Sequence, residues 1–189
     1  MSATTDIRFV SMAEYLDLPA DVVCYEIQDG LLTLTPSPTG PHQKVVMALA
    51  LALYSVRPKG YVVLPGPLDW VVSADPLTVR QPDLVVLRDD LADLPRIPAS
   101  EVPLLAVEVI SPGSLTTDLV YKVREYGAAG LQHYLVVGPG LPARYYGRER
   151  GQLVLRGQAA GSEVLRLPSP FDLDLWPNEL EGETSAPNA

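Results

Sequence analysis

One cysteine, Cys24, stands in a chain of 189 residues, and only two histidines accompany it. A single thiol forms no intrachain disulfide, so stability has to come from side-chain burial, and a reducing cytoplasmic setting is the expected one. With no second thiol to make a redox or metal pair, Cys24 reads as a small buried hydrophobe. No Cys or His spacing suits zinc, no Gly-x4-Gly-Lys loop is present for nucleotides, and no Gly-x-Ser-x-Gly elbow is present for acyl transfer. Ser111 and Ser114 have no histidine nearby in sequence, which argues against serine nucleophile chemistry. The opening MSATTDIRFVSMAEYLDL lacks the basic start and apolar run of a secretion signal, and Glu14 and Asp17 interrupt it. The longest purely apolar run, Val45 to Tyr54, falls far short of the roughly 20 residues that span a bilayer, so no membrane span is expected. Positive charge is also scarce. The net charge of −9 repels polyanions at long range and argues against a sequence-independent nucleic-acid binder driven by counterion release.

What is present suits one globular domain. Hydrophobic residues make up 47% of the chain and charged residues 20%, well outside the regime that leaves a chain unfolded. One domain is expected over 1–176, with a polar, aperiodic tail over 177–189. Ser11 and Glu14 have capping-box spacing, which predicts a short helix over 12–17. Asp29-Gly30 between residues 25–28 and 31–35 predicts a β-hairpin, because that dipeptide supplies the two positive φ angles of a tight turn. After the loop beginning at Pro36, the run VVMALALALY predicts a helix that is apolar all round and therefore buried on most sides. Strands are expected at 61–64 with a continuation through 68–72, at 79–87 and at 104–110. The last two are near-continuous apolar runs, the pattern of strands covered on both faces. A helix over about 118–129, with Thr116 or Thr117 as N-cap and Gly130 as its C-terminal stop, leads into a strand at 133–137. That order is a βαβ unit, so the strands at 104–110 and 133–137 should run parallel. A second hairpin is expected from 144–148 and 152–156 around the turn at 149–151.

Two acidic residues interrupt the apolar pattern. Glu108 lies in Leu104-Leu105-Ala106-Val107-Glu108-Val109-Ile110, on the face shared by Leu104, Ala106 and Ile110, and Asp83 opens the strand that follows Pro82. A buried carboxylate needs a cation, a proton or an opening at the strand end. The plainer account is that Asp83 ends a loop and Glu108 pairs with an arginine. Two carboxylates converging on a hard cation would instead hold Mg²⁺ (or Mn²⁺), which takes oxygen ligands and keeps several waters. Gln81 shares the face of Asp83 by alternation and is expected to reach toward it. Lys122 follows Asp118 at i, i+4, a spacing that equally describes an ordinary surface ion pair.

The segments YEIQDG, PSPTGPHQKVV, QPDLVVL, LLAVEVISPGS and DLVYKVREYGAAGLQHYLVV, in that order over roughly residues 11 to 140, resemble the Uma-two family of restriction-endonuclease-like proteins. Glu-Val-Ile-Ser-Pro with the downstream Asp-x3-Lys is the most specific part of the likeness. The resemblance implies an α/β restriction-endonuclease-like core: a central mixed β-sheet flanked by helices, with N-terminal and C-terminal β-hairpins. It also implies the PD-(D/E)xK nuclease motif, here Pro82-Asp83 and Glu108-Val109-Ile110, with Ile110 where the motif has lysine. The lysine is then supplied by the following helix as Lys122, with Asp118 to orient it. Asp83, Glu108 and the backbone carbonyl of Val109 become the metal ligands. Glu26 adds a further carboxylate and His42 an auxiliary group at the substrate phosphate. The implied activity is metal-dependent phosphodiester hydrolysis, with DNA as partner and a homodimer as a possible assembly. The alternative is a catalytically degenerate protein that keeps the fold as a binding or regulatory module, which the net acidity favours.

Overall fold

The computed structural model describes residues 8–18, 24–111, 113–180 and 182. Near the start, a two-residue strand β1 (Arg8–Phe9) precedes α1 (Met12–Leu16). Ser11 and Glu14 close the expected capping box there, each side chain serving the other's backbone. Strands β2 (Tyr25–Gln28) and β3 (Leu31–Leu34) form the expected hairpin, with Asp29 and Gly30 at φ 50° and 82°.

The second helix, α2 (Gly40–Val56), starts upstream of the apolar run. It buries Val45, Val46, Leu49 and Leu53 but exposes Met47, Leu51 and Tyr54. The expectation of burial on most sides is therefore corrected to burial along one stripe, because only one layer of the molecule covers this helix.

Four strands follow: β4 (Tyr61–Pro65), β5 (Trp70–Ala74), β6 (Leu77–Arg80) and β7 (Leu84–Arg88). The single strand expected over 79–87 is in fact two, and they lie in different sheets: β6 in a five-stranded sheet of order β1-β3-β2-β6-β5, and β7 in the main sheet. The pairs β4 and β5 divide in the same way. The breaks fall at Gln81-Pro82 and Gly66-Pro67, where proline offers no N–H to a ladder. These crossings touch: the Gly66 N–H donates to the Asp83 carbonyl at 2.9 Å, and a Cβ on Gly66 would meet the Pro82 carbonyl oxygen at 2.7 Å.

Strand β8 (Leu105–Val109) leads through a π-helical turn at Thr117–Tyr121 into α3 (Lys122–Ala129), which Gly130 ends at φ 103°. The helix departs from expectation at its start, where Thr116 makes no side-chain cap bond and the chain widens into the π turn. Strand β9 (His133–Gly138) runs parallel to β8, as the βαβ pattern requires. Strands β10 (Leu141–Glu149) and β11 (Gln152–Ala159) form the second hairpin, and they complete a six-stranded mixed sheet of order β11-β10-β9-β8-β7-β4.

A short pair, β12 (Leu165–Leu167) and β13 (Leu173–Leu175), and a helical turn α4 (Pro177–Leu180) close the chain. Pro177–Leu180, within the tail expected over 177–189, form α4 with Pro177 and Leu180 buried; residues 181 and 183–189 lie outside the described residues. One sheet face packs against α2, β12, β13 and α4 through Leu49, Leu53, Val107, Leu135, Phe171 and Leu175. The other face packs Ala106, Ile110, Tyr134 and Val136 against Tyr126 of α3. No helix among the described residues is long and apolar enough to cross a membrane.

Candidate active site

Glu108 occupies the next-to-last position of β8 and points to the α3 face, level with Ala106 and Ile110. Strand alternation puts it there, and the paired strands on either side leave it 3% exposed. Asp83 stands just before β7, whose Leu84 pairs with Val107. That register brings the Asp83 carboxylate to the end of β8, where Oδ2 accepts the Val109 N–H at 2.7 Å. His42, in the first turn of α2, places Nε2 at 3.2 Å from the same oxygen. Its hydrogen bond to Asp83 is the main reason the ring's pKa lies above the ordinary 6.5, with burial opposing and the Val109 backbone assisting.

Lys122 is buried rather than exposed. The surface pair with Asp118 that its spacing allowed is replaced by an enclosed cluster: Nζ lies 2.9 Å from Glu26 Oε1, 3.0 Å from Glu108 Oε1 and 3.2 Å from Asp118 Oδ1. The π turn immediately precedes this lysine and carries Asp118. A wide turn leaves carbonyls outside the regular helical ladder, and the Tyr134 hydroxyl donates to that of Asp118 at 2.9 Å. Burial works to lower the lysine's pKa, but Glu108, Glu26 and Asp118 outweigh it and hold the ammonium charged beyond its usual range.

Glu26 reaches this cluster from the other sheet. Arg80, at the end of β6 and 2% exposed, donates from Nη1 to Glu26 Oε2 at 2.8 Å. Its Nε and Nη2 grip both oxygens of Glu125 at 2.8 and 2.7 Å. Burial alone would raise the pKa of Glu26, but Lys122 and Arg80 together bring it below the ordinary carboxylate value. Glu108 goes the other way: burial pushes it well up, Lys122 opposes, and Asp118, Asp83 and Glu26 add to the rise. The Tyr126 hydroxyl donates to Glu108 Oε1 at 2.8 Å.

Arg80, Glu125 and Tyr126 were not among the sequence candidates. A cation closing the otherwise apolar-facing strand Leu77-Thr78-Val79-Arg80 was the available signal. Gln81 is corrected: its Nε2 donates to Asp69 Oδ1 at 2.8 Å, away from Asp83. There it joins the hydroxyls of Tyr15 and Tyr25, which both donate to Asp69 Oδ2. The cause is the sheet crossing at Pro82, which cancels the simple alternation between 81 and 83.

The cluster gathers Glu26, Glu108, Asp118 and Glu125 around two cations, Lys122 and Arg80, so acidic groups are in excess. Among the described residues no three His, Cys, Asp or Glu side chains form a ready metal cage. A hard cation that keeps most of its waters does not need one. The contacts above use Oε1 of Glu108 and Oδ2 of Asp83, leaving one oxygen of each outside them. Two carboxylates and the Val109 carbonyl are an all-oxygen set of the kind Mg²⁺ or Mn²⁺ accepts, and the surplus acidity is of the right sign.

Residues 12–180 match the family model Uma2, described as "Putative restriction endonuclease". No curated protein matches the chain. A crystal structure described as a "putative nuclease belonging to DUF820" from Anabaena variabilis superposes with a TM-score of 0.71 at 18% identity. The match covers 92% of this chain and 98% of that one, which establishes a shared fold.

Proposed function

Because the chain belongs to the Uma2 family, we propose that it is a divalent-metal-dependent nuclease that hydrolyses phosphodiester bonds in DNA. Asp83, Glu108 and the Val109 carbonyl would hold Mg²⁺ or Mn²⁺. The observation that supports this most is Lys122, whose side chain is 5% exposed and lies 3.0 Å from a Glu108 side chain that is 4% exposed. Replacing such a buried pair by apolar residues is often neutral or stabilising, so fold stability alone gives little reason to keep it beside Asp83.

When bound, the metal would polarise a phosphoryl oxygen and make a nearby water easier to deprotonate. The carboxylates around Lys122 raise its pKa, which suits a fixed donor to the attacking water or to charge building at phosphorus. Glu26 and Asp118 orient its ammonium, and Arg80 fixes Glu26. His42, held beside Asp83, would act as an auxiliary group near the substrate phosphate. A homodimer would offer two such sites to the two strands of a duplex.

A second reading, a degenerate binding or regulatory module, is supported by the net charge of −9 and by three carboxylates already satisfying Lys122. Nicking of supercoiled DNA with Mg²⁺ or Mn²⁺ separates the two. The nuclease reading expects activity abolished by EDTA and reduced by roughly 10²-fold or more in Glu108→Ala and Lys122→Ala. It also expects calorimetric metal binding lost in Asp83→Ala. A folded wild type that neither binds metal nor nicks DNA would establish the module instead.

A further inference from the structure

Charge is unevenly spread along this acidic chain. Five of its fourteen Lys and Arg residues fall within 141–167, with only two of its 23 acidic ones. The fold collects Arg148, Arg156 and Arg166 from this segment around an open cleft of about 400 Å³, floored by His133, Tyr145 and Gly147. His133 pairs with Leu105 across the parallel ladder, whereas Glu108 pairs with Val136. The cleft is therefore toward the other end of the strands from Glu108. It is also on the opposite face, since Tyr145 packs with Leu135, Leu165 and Phe171 while Glu108 bonds Tyr126.

Among the described residues, each arginine side chain has one polar partner. Arg148 Nη1 donates to the Gly130 carbonyl at 2.8 Å, Arg156 Nη2 meets Glu149 at 2.9 Å, and Arg166 Nε meets Asp174 at 3.3 Å. A guanidinium has five N–H donors, so these contacts use a minority of them, and all three arginines line the cleft. Two glycines make room for this arrangement. A Cβ on Gly147 would meet Arg156 Cγ at 3.1 Å and the Tyr145 hydroxyl at 3.4 Å, and one on Gly130 would meet Arg148 Nη1 at 3.0 Å. Glu149 and Asp174 offset two of the three charges and leave Arg148, held by a neutral carbonyl, without a carboxylate, so an oxyanion that bridges several guanidinium N–H groups fits the recess.

We propose that this cleft is a second site, separate from the Lys122 cluster, that binds a phosphate group carried by a small molecule or by a nucleic-acid strand. Its volume falls in the range of small-ligand sites, and planar guanidinium forks match phosphate oxygens.

The test is calorimetry on the full chain in EDTA at low salt, titrating pyrophosphate and, separately, a short DNA duplex. Saturable one-to-one pyrophosphate binding is expected, weakened about tenfold or more by Arg156→Gln and by Gly147→Ala and retained in Asp83→Ala. If the duplex displaces pyrophosphate, the phosphate comes from nucleic acid; if it does not, a small phosphorylated molecule is the source. Absence of saturation with either probe at millimolar concentration overturns the proposal. So does unchanged affinity in a folded Arg148→Gln, Arg156→Gln, Arg166→Gln triple variant, which would leave the arginines as ordinary surface ion pairs. If Gly147→Ala does not fold, the triple variant, whose side chains are exposed, still decides the outcome.

Discussion

Arg80 shows how much one side chain decides at this site. It lies between Glu26 and Glu125 and is the only link by which Glu26 is tied to a second cation besides Lys122 among the described residues. Arg80→Met would leave two largely buried carboxylates short of a partner. A loss of about 3–5 kcal/mol in unfolding free energy is expected, read by urea denaturation. His133 gives a pH-dependent counterpart. Burial holds its pKa below the ordinary 6.5, so the unfolded chain takes up a proton more readily than the folded one. Its contribution is fully present above 6.5 and is lost as pH falls from there toward the folded value. A thermal melt should therefore fall in temperature across that window, and His133→Gln should flatten this part of the profile.

Among the elements, the sheet crossings and the π turn do most to place the site. Gly66 is where the chain leaves β4 and passes against Pro82 and Asp83, and no Cβ fits there without displacing backbone. Gly66→Ala should cost about 1–3 kcal/mol by overpacking. Because Asp83 adjoins Pro82, the proposed metal site predicts that Mn²⁺ affinity measured by calorimetry falls in the same variant. A substitution of equal thermodynamic cost elsewhere in the core that lowers metal affinity as much would show that the coupling is only general loosening. The π turn acts differently: it turns Asp118 and Lys122 together into the interior, where a surface helix would have left them in water.

At the scale of the whole molecule, β12, β13 and α4 cover a sheet face and the buried stripe of α2. Phe171 is 2% exposed in that layer and stacks edge-on against His133 at 5.3 Å between centroids. Phe171→Ala should lower stability by about 3–5 kcal/mol, as large-to-small changes at buried aromatics do. A chemical denaturation curve checks it. Activity per folded molecule should survive, since Phe171 is on the sheet face opposite Glu108.

The sequence by itself determined the local pieces. The capping box at Ser11, the Asp29-Gly30 hairpin, the parallel β8 and β9 and the Gly130 stop all depend on neighbours within a few residues or on one repeating period. For the same reason Asp83 and Glu108 stood out, as charges within runs that otherwise ask for apolar side chains. The tertiary structure decided what depends on distant partners. Whether 79–87 is one strand or two turned on Pro82 crossing between sheets, which also sent Gln81 to Asp69. Whether Lys122 is a surface ion or a buried one turned on Glu26 and Glu108 arriving from separate sheets. Burial and charge pairing are sums over neighbours far apart in the chain, and only the folded arrangement brings those neighbours together.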